Sequence, residues 1–245
     1  MKGFKRILPD MEALCYEAAR DLLRLSHQAI DERGEFHIFL AGGSTPQSFY
    51  KLLASSSYAN AIRWGKVHLY FGDERNVPPD HPDSNYNMVN KALLRKINID
   101  PTHIHRIHGE LATAQAAEMY NNILDSRIPK DVDDRLQPDL VLLGVGADGH
   151  IASLFPESDT LSTTDSHCAA VWVEKLKSWR ISITYPVINN ARNLWLMVAG
   201  DAKEDIVDRI FNHPSVSNPL PVERIDAQGS VTWFMDQPAA KRIKK

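Results

Sequence analysis

Leu140-Val-Leu-Leu-Gly-Val-Gly-Ala-Asp-Gly-His-Ile-Ala-Ser-Leu-Phe-Pro156 is the stretch on which the fold turns. It opens in an apolar run from Asp139 to Val145 and then breaks at Gly144, Gly146 and Gly149, delivering Asp148 and His150. An apolar run of this length bounded by glycine reads as a strand buried on both faces. Glycines at its C-terminal end permit positive φ and close approach of a ligand to the backbone. In open α/β sheets, ligands sit outside the carboxyl ends of the strands. A titratable Asp–His pair placed there is a candidate for chemistry. The plainer alternative is a strand followed by a tight turn that His150 merely caps.

Outward from that stretch, strands and helices alternate. Asp10 can cap a helix from Met11, with Leu14, Cys15, Ala18, Leu22, Leu25 and Ala29 at helical spacing and Gly34 as its stop. Phe36 to Ala41 reads as a strand, and Gly42-Gly-Ser-Thr-Pro46 leads into a helix through Phe49, Leu52 and Leu53. Thr45 is a good N-cap and Pro46 suits the first helical position. A helix start with free N–H groups binds anions, and Gly42 and Gly43 would let a phosphate approach the hydroxyls of Ser44 and Thr45. The loop lacks the Lys of a P-loop and the GxGxxG of a dinucleotide site, so it points to a single phosphoryl group. A plain strand-to-helix turn is the alternative.

Val67 to Phe71 is the next strand, ending in Gly72-Asp-Glu-Arg75 and a polar loop, 76–86, with three prolines. Thr102-His-Ile-His-Arg-Ile-His108 reads as a short strand with exposed histidines, and no metal site is expected there. A further helix is read over Leu111 to Ile123. Later strands are read at Ala169 to Val173, Arg180 to Tyr185, Leu194 to Ala199 and Val231 to Phe234. Cations at 175, 177 and 180 form the local basic cluster that an anionic substrate would need. Lys203, at the start of a helix, runs against the helix dipole and makes better sense if it shares a bound anion.

The alternation argues for one α/β domain over 1–245, a three-layer α/β/α sandwich with a mainly parallel, Rossmann-like sheet. Its ends, about 1–10 and 238–245, read as flexible. A length of 245 residues fits this, and 43% hydrophobic with 24% charged residues is ordinary for a globular chain. A net charge of −3 gives no global field for nucleic acid. No apolar run reaches membrane-spanning length. Met1 to Asp10 has basic residues but no apolar region after them, so it does not read as a signal peptide. Cys15 and Cys168 form neither a metal spacing nor a disulfide framework, and cytoplasm is the natural reading.

Taken in order, Gly42-Gly-Ser-Thr-Pro46, Asp73-Glu-Arg75 with Val77-Pro78 and Asp83-Ser-Asn-Tyr86, and Leu143 to His150 with Ala152-Ser-Leu-Phe-Pro156 resemble the 6-phosphogluconolactonase family. Arg180-Ile-Ser-Ile-Thr184, Gly200 with Lys203, and Trp233-Phe234 extend the likeness over most of the chain. The resemblance implies a fold shared with glucosamine-6-phosphate deaminase and ribose-5-phosphate isomerase. It implies a hydrolase that opens 6-phospho-D-glucono-1,5-lactone to 6-phospho-D-gluconate, the second step of the oxidative pentose phosphate pathway. It implies no metal and no organic cofactor, a small sugar-phosphate lactone as partner, and a monomer or small homo-oligomer. Ile151 stands where these lactonases usually carry Thr, and Lys177-Ser-Trp-Arg180 replaces the usual Lys-Pro-Pro. Asp-Gly-His-Ile-Ala is the deaminase form, but Arg75 and Ser153-Leu-Phe-Pro156 side with the lactonase.

On this reading His150 is the general base and then the acid, and Asp148 orients its ring. Arg75 faces the developing oxyanion or the sugar hydroxyls, and Asp73 hydrogen-bonds the substrate. Gly42, Gly43, Ser44, Thr45, Arg180 and Lys203 hold the phosphate. The rivals are a glucosamine-6-phosphate deaminase and a non-catalytic sugar-phosphate sensor.

Overall fold

The computed structural model describes residues 3–243. Its strands are β1 (Phe4–Leu8), β2 (Phe36–Leu40), β3 (Val67–Phe71), β4 (Asp73–Arg75), β5 (Ile104–His105), β6 (Leu140–Leu143), β7 (Cys168–Val173), β8 (Ser178–Ile183), β9 (Asn193–Val198) and β10 (Ser230–Asp236). Its helices are α1 (Met11–Arg33), α2 (Ser44–Leu53), α3 (Ser56–Ala59), α4 (Asn85–Ala92), α5 (Thr113–Arg127), α6 (Tyr185–Asn189) and α7 (Glu204–Asn212). Seven strands make one sheet in the order β1-β10-β9-β6-β2-β3-β5, parallel throughout and flanked by helices. The mainly parallel α/β sheet read from the sequence is therefore present.

The strands β2, β3 and β6 are buried at every residue, which is why they appear in the sequence as unbroken apolar runs. Helix α1 covers this sheet with Leu14, Ala18, Leu22 and Ala29 turned inward. Asp10 accepts a hydrogen bond from the Ala13 amide at 2.8 Å and starts it, and Gly34, in the left-handed region, ends it. Burying one such leucine stabilises the fold by about 1.5–3 kcal/mol.

Chain order reverses between β2 and β6. From β2 the chain proceeds to β3 on one side, and from β6 to β9 and β10 on the other. Only Ile38 with Leu140 and Phe39 with Val141 pair across this seam. Asp139 fastens its base: the carboxylate accepts from the His37 amide at 2.8 Å and from Arg33 at 2.9 Å. Such a reversal opens a crevice at the strands' carboxyl ends.

Several expectations change. Residues 4–8, placed in a flexible end, form an edge strand paired in parallel with β10. Residues 238–243 form turns in which Ala239 is fully buried; Met1, Lys2, Lys244 and Lys245 lie outside the described residues. Helix α2 starts at Ser44, not after Thr45, because Gly43 takes a φ of 99° and serves as the N-cap. A second sheet, β4-β8-β7, is antiparallel and was not anticipated.

The histidine of β5 is also not as read. His105 is buried and stacks on Tyr70 and His68, His68 stacks on His37 and His103, and His37 lies against Tyr70. His68 Nδ1 pairs with His105 Nε2 at 3.1 Å, and His37 Nδ1 with the Tyr70 hydroxyl at 3.1 Å. Among the described residues no group of three or more His, Cys, Asp or Glu is placed to hold a metal. His37 and His68 lie near the amino ends of β2 and β3, the end of the sheet away from the crevice.

Candidate active site

A cavity of about 440 Å³ occupies the crevice, lined by residues that follow β2, β3, β6 and β9. All ten candidate residues, Gly42, Gly43, Ser44, Thr45, Asp73, Arg75, Asp148, His150, Arg180 and Lys203, line it. Between the first and last of them lie more than 150 residues of chain, and the parallel crossovers gather them at one edge.

After β6 the chain turns through Gly144–His150. The Gly146 amide donates to the His150 carbonyl at 2.9 Å and the Gly149 amide to the Gly146 carbonyl at 2.9 Å. The loop so closed places His150 Nδ1 2.5 Å from Asp148 Oδ1. With Asp148 ionised, Nδ1 carries the proton and Nε2 keeps a free lone pair. The Phe155 ring stacks on the imidazole, centroid to centroid at 4.1 Å. Gly146 lies against the same imidazole, so closely that a Cβ there would come within 2.0 Å of Nδ1 and 2.1 Å of Cε1. Burial pushes the Asp148 carboxyl up, but hydrogen bonding and charge from His150, with Lys175, outweigh it and hold the group below its ordinary value. The turn alternative, with His150 as a mere cap, does not account for a ring held on three sides beside a cavity.

Ile151, the residue that departs from the lactonase pattern, is fully buried in the core and does not line the cavity. Its backbone instead forms a tight bridge to Leu154. The departure therefore leaves the pocket wall as it is.

The polar triplet after β3 is organised by the antiparallel sheet, where Asp73 pairs with Ser182, Glu74 with Ile181 and Arg75 with Arg180. Asp73 is buried; Ser153 Oγ donates to its Oδ2 at 2.6 Å and Asn85 Nδ2 to its Oδ1 at 3.1 Å. Glu74 accepts from the Asn85 amide at 2.7 Å, the Tyr86 amide at 2.8 Å and Ser84 Oγ at 3.0 Å. Its carboxylate thus sits on the otherwise unpaired first amides of α4, where the helix dipole favours a negative charge. Burial raises the Glu74 pKa against the pull of those backbone donors.

Cations gather at the rim. Arg180 is held by Ser178 Oγ at 2.8 Å and the Trp179 carbonyl at 3.0 Å. Its pKa is lowered by burial and then by the neighbouring Arg75. Arg75 donates to the Asp83 carbonyl. Lys203 Nζ donates to the Val145 carbonyl at 2.7 Å, and burial lowers its pKa while Asp148 opposes the shift. Between these cations α2 begins at Gly43 with no side-chain cap, leaving its first amides for a ligand.

The sequence places Lys175 in a basic cluster with Lys177 and Arg180 without giving it a role of its own, and it does not single out Asn85, Ser153 or Phe155 as site residues. Lys175 lines the cavity with Nζ 3.3 Å from Asp148 Oδ2, whereas Lys177, left-handed at φ 47°, turns to Glu174. Asn85, Ser153 and Phe155 stand inside motifs quoted for resemblance, but nothing in a sequence shows that they buttress Asp73 and His150.

Residues 9–233 match the sequence profile of the family described as glucosamine-6-phosphate isomerases/6-phosphogluconolactonase. The chain belongs to this family. A 6-phosphogluconolactonase of Haemophilus influenzae is 38% identical over 210 residues, covering 84% of this chain and 87% of that protein. The solved 6-phosphogluconolactonase of Trypanosoma brucei is 26% identical, with a TM-score of 0.87 and 99% of each chain covered. A monomeric glucosamine-6-phosphate deaminase, 21% identical, shares the fold with a TM-score of 0.79 over 97% of this chain and 99% of that one. Both branches of the family's name thus stand close to this chain in fold. Among its described residues no helix is long and apolar enough to cross a membrane.

Proposed function

We propose that this chain hydrolyses 6-phospho-D-glucono-1,5-lactone to 6-phospho-D-gluconate in the oxidative pentose phosphate pathway. One observation carries the reading: the Asp148–His150 pair, joined at 2.5 Å, opens onto the same cavity as a bare helix start, Arg180 and Lys203. An acid–base group and an anion anchor in one crevice are what a phosphorylated ester needs.

His150 Nε2 takes a proton from water as the water oxygen bonds to C1 of the lactone. Asp148 fixes the tautomer and stabilises the imidazolium. The oxyanion collapses, the bond from C1 to the ring oxygen breaks, and His150 returns its proton to that oxygen. Gly42, Gly43, Ser44, Thr45, Arg180 and Lys203 hold the phosphate, and Asp73 orients a sugar hydroxyl. Arg75 stands opposite Arg180 and is assigned to the phosphate end with it. Binding energy at the phosphate then positions the reacting carbonyl.

The test follows acid release from freshly made 6-phosphogluconolactone against its spontaneous hydrolysis. Acceleration by catalytic amounts of protein is expected. Ammonia release from glucosamine 6-phosphate without lactone hydrolysis would place the chain on the other branch of the family. Tight binding without turnover would make it a sensor.

A further inference from the structure

Among the described residues four cations line the cavity, and three of them are held by neutral oxygens: Arg75 by Asp83, Arg180 by Ser178 and Trp179, and Lys203 by Val145. The fourth, Lys175, meets only a carboxylate oxygen, Asp148 Oδ2, the one that His150 Nδ1 does not use. Lys175 rises from the short turn Glu174–Leu176 at the tip of the β7–β8 hairpin, and its side chain is 71% exposed. It is an exposed ammonium that reaches the Asp148–His150 pair, while its neighbour Lys177 turns to Glu174.

Ester hydrolysis beside a carboxylate raises an electrostatic problem. Negative charge appears at C1 twice, first on the tetrahedral oxyanion and then on the product carboxylate. Asp148 already places a negative charge next to His150, and a second one needs a cation at the reacting end. Arg75 and Arg180 oppose each other at the rim. Lys203 is half buried and tied to backbone.

We propose that Lys175 is a catalytic residue that binds the C1 oxygen, turning from Asp148 to the oxyanion and then to the product carboxylate. This rests on the lactonase reading. As water adds to C1 and its proton passes to His150 Nε2, the carbonyl π pair moves to the C1 oxygen and is met by Lys175 Nζ. When that pair returns, the bond to the ring oxygen breaks and the ring oxygen takes the proton from His150. The acid formed then loses its own proton to solvent and remains paired with Lys175. The ligand is thus read at two ends, phosphate by the Arg180 group and carboxyl by Lys175.

The experiment compares wild type with Lys175→Met, Lys175→Arg, Arg180→Ala and, as a control outside the cavity, Lys177→Ala. Turnover is measured on fresh lactone. Affinity is measured for 6-phosphogluconate and for glucitol 6-phosphate, which carries the phosphate but no carboxyl group. Lys175→Met should lower kcat by about 10². It should weaken 6-phosphogluconate about tenfold and leave glucitol 6-phosphate unchanged, a split that a structural role would not produce. Lys175→Arg should recover much of kcat, Arg180→Ala should weaken both ligands alike, and Lys177→Ala should change nothing. An active wild type with an unaltered kcat in Lys175→Met, or equal loss of both ligands in that variant, overturns the role of Lys175 alone. An inactive wild type overturns the lactonase reading and this proposal with it.

Discussion

Arg75 and Arg180 face each other directly across the antiparallel ladder of β4 and β8. Like charges opposed in this way destabilise a sheet. Burial adds to the cost at Arg180, whose pKa falls for both reasons. A bound phosphate would convert the repulsion into a two-sided clamp. Arg180→Ala should therefore raise KM for the phosphorylated lactone and narrow the preference over unphosphorylated gluconolactone. Inorganic phosphate should raise the Tm of the wild type, by an equivalent of about 2.7 kcal/mol at a hundredfold excess over Kd, and Arg180→Ala should abolish that rise. An unchanged preference would place the phosphate elsewhere.

His150→Ala removes the proton carrier but leaves the anion anchor. Its kcat should fall by about 10²–10⁴ while affinity for 6-phosphogluconate stays near the wild-type value. Steady-state turnover and equilibrium binding on the same sample separate the two. Wild-type-like turnover would take His150 out of the mechanism.

Gly146 and Phe155 fix the imidazole between them, one by having no side chain and one by presenting a ring. Gly146 has no positive φ, so the backbone accepts alanine, and the nearest atoms a Cβ would meet all belong to the His150 ring. Gly146→Ala should cut kcat by about 10², the scale of a misplacement near 1 Å, with a small change in phosphate-induced stabilisation. Phe155→Leu should lower kcat less, and Phe155→Tyr should restore it. Unaltered kinetics in Gly146→Ala would show that the ring is free to move.

The stacked histidines set an acid limit on the fold. Burial and neighbouring histidines push His37 and His105 down to about 4, and burial lowers His68 as well. Glu35 opposes the shift with Oε2 at 3.4 Å from His37 and 3.5 Å from His68, while Arg127 and His103 reinforce it. Tyr70 faces the group as a neutral hydroxyl. A histidine whose folded pKa is depressed stabilises the fold above its ordinary value near 6.5. That stability is lost as pH falls from about 6.5 toward 4. The urea midpoint should drop across this window, each extra proton of the unfolded state adding up to about 1.4 kcal/mol per pH unit. His105→Phe keeps the stack without the proton and should flatten the slope. An equally steep fall in that variant would locate the acid sensitivity elsewhere.

What could be read in advance follows from locality. The parallel strands were legible because burial on both faces leaves an apolar run, and α1 because both of its caps are local. Strand β4 was not, since Asp73-Glu-Arg75 has no apolar pattern and is a strand only by pairing with residues a hundred positions away. Edge strand β1 was missed for the same reason. In β5 the alternation was right and the face wrong: His105 is buried, and a choice of one residue exchanges the two faces. At the site, residue types pointed to the acid–base pair and to the anion loop. They could not separate Lys175 from Lys177, because the two stand two residues apart in one turn and differ only in the partners the folded backbone gives them, Asp148 for Lys175 and Glu174 for Lys177.

The narrow seam between β2 and β6 bears on how catalytic competence is acquired. Residues 41–75 bring the anion loop and one arginine, and residues 144–203 bring the acid–base pair and the remaining cations. Two residue pairs and the Asp139 clamp, together with the β4–β8 ladder, hold these halves in register over a separation of about a hundred residues. Neither half carries a working centre. In a refolding experiment helical signal should thus return first and turnover only with closure of this seam, the long-range contact that carries the larger loop-closure entropy.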